Sequence, residues 1–132
     1  MKMIARCFVT GFLFGTVGLV AVDGGHAAVK GDPNRGEKIY EGSCTGCHSL
    51  DQNRVGPAHR GVIGRKFGLA PKFAYSPNLK KSKLVLTFPV FDKWLTNPQG
   101  LIPGARMGFR MADPQKRADV YEYLKREGTT KK

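Results

Sequence analysis

Cys44 and Cys47 stand two residues apart, and His48 follows the second directly, in the stretch CTGCHSL at 44–50. A Cys pair at this spacing has three common uses: a redox-active disulfide, half of a zinc site, and covalent attachment of a cofactor. Each use demands a different scaffold, so this short motif constrains the fold more than any other feature. A redox disulfide sits at a helix start behind a strand. A zinc site needs further Cys or His ligands. Attachment needs room for a bulky group in the middle of the domain.

The rest of the sequence offers helices and loops. Residues 31–47, GDPNRGEKIYEGSCTGC, carry Asp32 as N-cap, Pro33 at the first helical position and Glu37 near the first turn, with Ile39 and Tyr40 as the apolar face. TFPVFDKWLTNPQG predicts a helix from about Thr87 to Asn97, stopped by Pro98 and Gly100. Residues 112–128, ADPQKRADVYEYLKREG, repeat the Asp-Pro start at Asp113 and Pro114. Val120, Tyr123 and Leu124 fall on one face there, basic residues crowd the end, and Gly128 is the expected stop. YSPNLKKSK adds one short turn. RVGPAHRGVIGRKFG, at 54–68, has four glycines and a proline with neither a 3.6 nor a 2.0 period, and reads as loop. No stretch alternates as a half-buried strand would. The expectation is an all-α domain with three main helices and long loops. Such a chain makes little core of its own, so something else is expected to fill its middle.

The first residues read as a leader. Lys2 and Arg6 precede the apolar run CFVTGFLFGTVGLVAV, and DGGHAA follows at 23–28. That is the layout of a secretory signal peptide. Cleavage after Ala27 uses Gly25 and Ala27 as the small residues; cleavage after Ala28 would place His26 at the outer position. The expected organisation is a signal peptide at 1–27 and one domain at 28–132, exported to the periplasm. The rival is an uncleaved anchor, although the run is short for a bilayer core of roughly 30 Å and is broken by glycines; stable membrane insertion is not expected. The chain has 22 Lys plus Arg against 10 Asp plus Glu. The leader holds two of the basic residues and one acidic, which leaves 20 against 9 and a net charge of +11. Such a field favours acidic partners. Nucleic acid fits on charge alone, but export and the absence of any nucleic-acid motif argue against it.

Cys7 leaves with the leader, so the exported chain keeps Cys44 and Cys47 as its cysteines and His48 and His59 as its histidines. Zinc then lacks ligands, and a redox disulfide lacks its flanking strand. Haem attachment needs less. Two thiols add across the two vinyl groups of the porphyrin, Thr45 and Gly46 set the reach between them, and His48 lies beneath the ring with an imidazole nitrogen for the iron. A second strong ligand would make an electron carrier; an open face would permit gas binding or peroxide chemistry. Met107, in IPGARMGF, follows a turn at Pro103 and Gly104 that would aim it inward. Met111, in FRMADP, directly precedes a helix start and reads as core filler. Two other readings stay open: a haem enzyme or gas sensor in which Met107 is displaced, and a thiol-disulfide protein with a chance motif.

GDPNRGEKIYEGSCTGCH, GPAHRGVIGRKFG, FDKWLTNP, IPGARMGF and RADVYEYLK, in that order, resemble the class I cytochromes c over almost the whole exported chain. The resemblance implies the small cytochrome c fold around one covalent haem c, and one-electron transfer, not enzymatic turnover. It implies thioethers at Cys44 and Cys47, axial ligands at His48 and Met107, and a Pro57 carbonyl that accepts the other N–H of His48. It implies Arg65 and Tyr75 on a haem propionate and Phe109 over the haem edge. It also implies a crossing of Gly36 and Tyr40 with Val120 and Tyr123. Leu86, Leu79 and Ala105 stand where the family often has a tryptophan, an asparagine and a threonine, so three donors are missing. Trp94 stands where a tyrosine commonly faces the methionine side, as a helix-packing residue or a tuner of the site. His59 stands where leucine is usual, with a packing or surface role. Gln99, Gly100 and Arg106 occupy positions from which family lysines displace the methionine at high pH. Arg54, Lys66, Arg106 and Arg110 are the expected basic rim for the acidic docking surfaces of redox proteins. An oxidase, a quinol-oxidising complex, a reaction centre or a dehydrogenase would fit, met by a monomer.

Overall fold

The computed structural model describes residues 29–129. The expected leader and its cleavage site lie outside the described residues. Among the described residues five helices follow one another: α1 (Pro33–Ser43), α2 (Pro77–Lys81), α3 (Phe88–Thr96), α4 (Pro98–Leu101) and α5 (Pro114–Thr129). Among the described residues there is no strand, only an isolated antiparallel bridge between Lys66 and Val85. Nor is any described helix long and apolar enough to cross a membrane.

The helix starts follow their caps. The Asp32 carboxylate accepts from the N–H groups of Asn34 and Arg35 at 2.8 and 3.3 Å. Asp113 does the same for Gln115 and Lys116 at 2.8 and 3.3 Å. In each case a proline holds the first helical position, where a missing N–H breaks no bond. Thr87 and Asn97 flank α3 as predicted. Two expectations change at helix ends. Pro98 stops α3 but also begins α4, with Gly100 inside it. Gly128 does not stop α5, which continues to Thr129. A Cβ on Gly128 would lie 3.2 Å from the Cα of Gly61, so the glycine permits a close approach of loop to helix.

The main contact is the crossing of α1 and α5. A Cβ on Gly36 would fall 2.0 Å from the carbonyl oxygen of Asp119 and 2.8 Å from the Cβ of Tyr123. The backbones therefore meet at Asp119 and Tyr123, with Val120 buried beside them. The Tyr40 and Tyr123 rings lie 5.2 Å apart. Asp119, only 2% exposed, ties the crossing together. It accepts from the Asp32 N–H at 2.8 Å, from Arg35 at 2.8 and 2.9 Å and from Gln115 at 2.9 Å. Burial pushes its carboxyl up, but Arg35, the Asp32 N–H and Gln115 together hold it below the usual carboxylate range.

Long loops hang on this frame by specific bonds. Leu86 N–H donates to Arg65 and Gly64 N–H to Leu86, both at 3.0 Å, which joins the 60s to the 80s. Arg60 bridges Asp51 at 2.6 Å and the Glu127 carbonyl at 2.8 Å. Buried Arg117 reaches Asp92 at 2.6 Å and the carbonyls of Met111 and Ala112 at 2.8 and 2.7 Å. That anchors the segment after Met107 to α3 and α5.

Candidate functional site

These loops surround a cavity of about 380 Å³, within the roughly 300–1,000 Å³ range of cofactor clefts. All nine residues singled out by the sequence line it: Cys44, Cys47, His48, Pro57, Arg65, Tyr75, Trp94, Met107 and Phe109. They come from the end of α1, the long α1–α2 loop, α3 and the α4–α5 loop, across half of the chain. Leu79, Leu86, Phe91, Leu95 and Leu124 add an apolar lining. Met111 is not in the wall; it is buried in the core, and its N–H donates to Leu95 at 2.8 Å.

Cys44 is the C-cap of α1, so the motif is placed where that helix ends. Cys47 and His48 both donate their N–H groups to the Cys44 carbonyl, at 3.1 and 2.9 Å, in a tight turn. Both thiols are free. Burial pushes the Cys44 thiol up to about 11, and neighbouring Cys47 adds to this. A redox-active CxxC needs the opposite, a lowered thiol pKa.

The Nδ1 of His48 lies 2.9 Å from the Pro57 carbonyl oxygen. A carbonyl only accepts, so Nδ1 carries the proton and Nε2 keeps its lone pair. Burial lowers the His48 pKa, against the opposing effect of the Pro57 bond, and favours the neutral ring. Gly56 lies directly against that ring: a Cβ there would be 2.1 Å from Cε1. His59 stacks on the same ring at 3.9 Å and 22°, and its Nδ1 meets the Tyr40 hydroxyl at 3.2 Å. Burial, with His48 and Arg65 adding to it, lowers the His59 pKa to about 3. His59 is thus a neutral packing residue in the wall of the site.

The polar lining of the cavity includes Arg65, Tyr75 and Ser76. Arg65 donates to the carbonyls of Ala58 at 3.0 Å and Arg60 at 3.4 Å. The Tyr75 oxygen accepts from Ala70 N–H at 3.1 Å, and its own proton is left to donate. The Ser76 hydroxyl is buried without a hydrogen-bond partner, an arrangement that a bound polar group would relieve. Two thiols, a neutral imidazole with a free nitrogen, a thioether, an apolar wall and a cluster of donors fit a haem with its two carboxylates.

Ser76 and Gly56 are site residues that sequence reasoning missed. Ser76 follows Tyr75 directly, which is the one signal it offered. Gly56 stood among four glycines of a loop, and only its contact with His48 sets it apart. Trp94 is buried against Phe67 at 5.0 Å. Phe109 is 41% exposed and Val55 is 79% exposed, both at the cavity rim. Of the four basic rim candidates, Lys66 and Arg106 line the cavity; Arg54 and Arg110 are exposed beyond it.

Known proteins agree with this geometry. Residues 33–127 match the family Cytochrome c. The chain is 41% identical over 101 residues to cytochrome c2 of Rhodopila globiformis, covering 74% of this chain and 95% of that protein. It is 38% identical over 112 residues to cytochrome c2 of Rhodomicrobium vannielii, covering 82% and 89%. The solved structure of cytochrome cH from Methylobacterium extorquens superposes with a TM-score of 0.69 at 39% identity, over 73% of this chain and 99% of that one. The chain belongs to the class I cytochrome c family, electron carriers and not enzymes, with a haem c bound covalently through the CxxCH motif.

Proposed function

We propose that this protein is a periplasmic shuttle that carries single electrons between redox complexes, with His48 and Met107 as axial ligands and Cys44 and Cys47 as thioether sites. The observation that carries this reading is the convergence of those four side chains on one apolar cavity. When bound, haem c supplies a one-electron iron couple.

The chain's own residues supply the rest. Pro57 orients the His48 ring and leaves Nε2 deprotonated, which raises its basicity as a ligand. Met107 offers a soft thioether, which favours the ferrous state and raises the potential. Arg65, Tyr75 and Ser76 receive the propionates. Leu79, Leu86 and Leu95 keep water out of the cavity.

Export rests on the leader-like residues 1–27, and the domain then starts at residue 28. Lys66 and Arg106 at the cavity, with Arg54 and Arg110 beyond it, form a basic rim around exposed Phe109 and Val55. This rim suits transient docking to acidic surfaces on an oxidase, a quinol-oxidising complex, a reaction centre or a dehydrogenase. Its signature is an electron-transfer on-rate that falls as ionic strength rises; a flat rate excludes it.

The test of the ligand set is a visible spectrum of the exported protein in both oxidation states, with and without carbon monoxide. A weak far-red methionine-to-iron band when oxidised, and indifference to carbon monoxide when reduced, are expected. Absence of that band with ready carbon monoxide binding would show that Met107 does not hold the iron.

A further inference from the structure

The segment that carries Met107 is gripped by side chains from outside the cavity. Gln99, the second residue of α4, makes three contacts with it. Its Nε2 donates to the carbonyl of Ala105 and to that of Met107 at 3.3 Å, and its Oε1 accepts from Gly104 N–H at 3.2 Å. One amide thereby closes a ring over residues 104–107. Gly104 sits at φ +78, so the turn needs the conformation that glycine tolerates best. From α2, the Asn78 amide donates to the Pro103 carbonyl at 2.8 Å.

On the cavity side of the same loop, Arg106 donates to the Ala74 carbonyl at a long 3.5 Å. Leu79 in the cavity wall and Ala105 are both buried, and neither has a side chain able to hydrogen-bond. Most side-chain bonds to residues 103–107 therefore come from Gln99 and Asn78. We propose that Gln99, assisted by Asn78, is a positioning residue that keeps the Met107 loop closed. Its grip sets how readily an outside ligand displaces the methionine. This rests on the reading of Met107 as an axial ligand.

A loop that must open before a ligand enters binds that ligand in proportion to its open fraction. Weakening the brace raises that fraction directly. The test measures imidazole binding to the oxidised holoprotein, by Soret shift and by loss of the far-red band. Variants are Gln99→Ala, Gln99→Glu and Asn78→Ala. Gln99→Ala is expected to raise imidazole affinity about tenfold, the equivalent of one to two ordinary hydrogen bonds. Gln99→Glu keeps the acceptor for Gly104 but loses the donor to two carbonyls, and is expected to be at least as open. Asn78→Ala is expected to raise affinity about threefold. Thr96→Ala, which removes an exposed bond to Asp92 on α3, is the control and should stay within about twofold of the parent.

A parent protein with its far-red band, and Gln99 and Asn78 variants within about twofold of it, overturns the brace alone. An equal rise in Thr96→Ala assigns the effect to general loosening and also overturns it. A parent protein without the band overturns the axial reading, and the brace with it.

Discussion

The Nδ1 of His48 donates to the carbonyl of Pro57 at 2.9 Å, while the neighbouring Gly56 lies so close that any side chain would enter the imidazole ring. The two residues divide one task. Pro57 fixes the tautomer, and Gly56 leaves the ring room to take that position.

Substitution of Gly56 by Ala should therefore be severe. The ring cannot yield without breaking its bond to Pro57 or its stack on His59. A stability loss of about 3 kcal/mol is expected, at the upper end of overpacking effects. The denaturant midpoint of the holoprotein measures it, and an altered visible spectrum reports the displaced imidazole. An unchanged midpoint and spectrum would refute the close contact.

The helix crossing makes a parallel prediction. Gly36→Ala places a methyl carbon 2.0 Å from the Asp119 carbonyl oxygen, which is backbone and cannot step aside. About 3 kcal/mol of destabilisation is expected, with no change in the ligand set. Urea unfolding combined with the far-red band separates these two readouts.

Asp119 sets an acid limit. Its carboxyl is held below its ordinary value by Arg35, Asp32 and Gln115, against the upward push of burial. A depressed carboxyl contributes stability that is fully present above the unfolded pKa, near 4, and is lost as pH falls through the lower folded value. Asp119→Asn should cost about 2 kcal/mol at neutral pH, as for hydrogen bonds to a charged group. It should also flatten the decline in stability below pH 4. Denaturant midpoints from pH 7 to 3 compare the two proteins; equal slopes would remove Asp119 from the account.

The high-pH behaviour follows from what the Met107 region contains. Gln99 and Gly100 offer no ligand, and Arg106 presents a guanidinium in place of a lysine amine and donates to the Ala74 carbonyl at 3.5 Å. Alkaline exchange of the methionine for a lysine is expected to be weak or displaced upward in pH. A spectroscopic titration that showed easy conversion to a lysine ligand would contradict it.

Much of this protein is local enough to read in one dimension. Asp32-Pro33 and Asp113-Pro114 place two helix starts because a carboxylate and a fixed φ act within three residues. Cys44, Cys47 and His48 declare their chemistry because their spacing matches one cofactor. The turn at Pro103 and Gly104 favours Met107 over Met111 as the site residue, and Met107 lines the cavity while Met111 does not. The tertiary structure alone decided which distant groups meet. Gly128 reads as a stop, yet it lies inside α5, where its missing side chain lets Gly61 approach. His59 is in the site wall because it stacks on His48, and Ser76 lines the cavity with its hydroxyl buried and without a partner. Gln99 reads as a residue unable to compete for the iron; its three bonds to the loop of Met107 appear only when α4 folds back beside it. Backbone caps and motif spacing are set by neighbours in sequence. Close approaches and buried partners are set by how segments pack in three dimensions, whether near or far in sequence, and the sequence pattern at either end does not record the other.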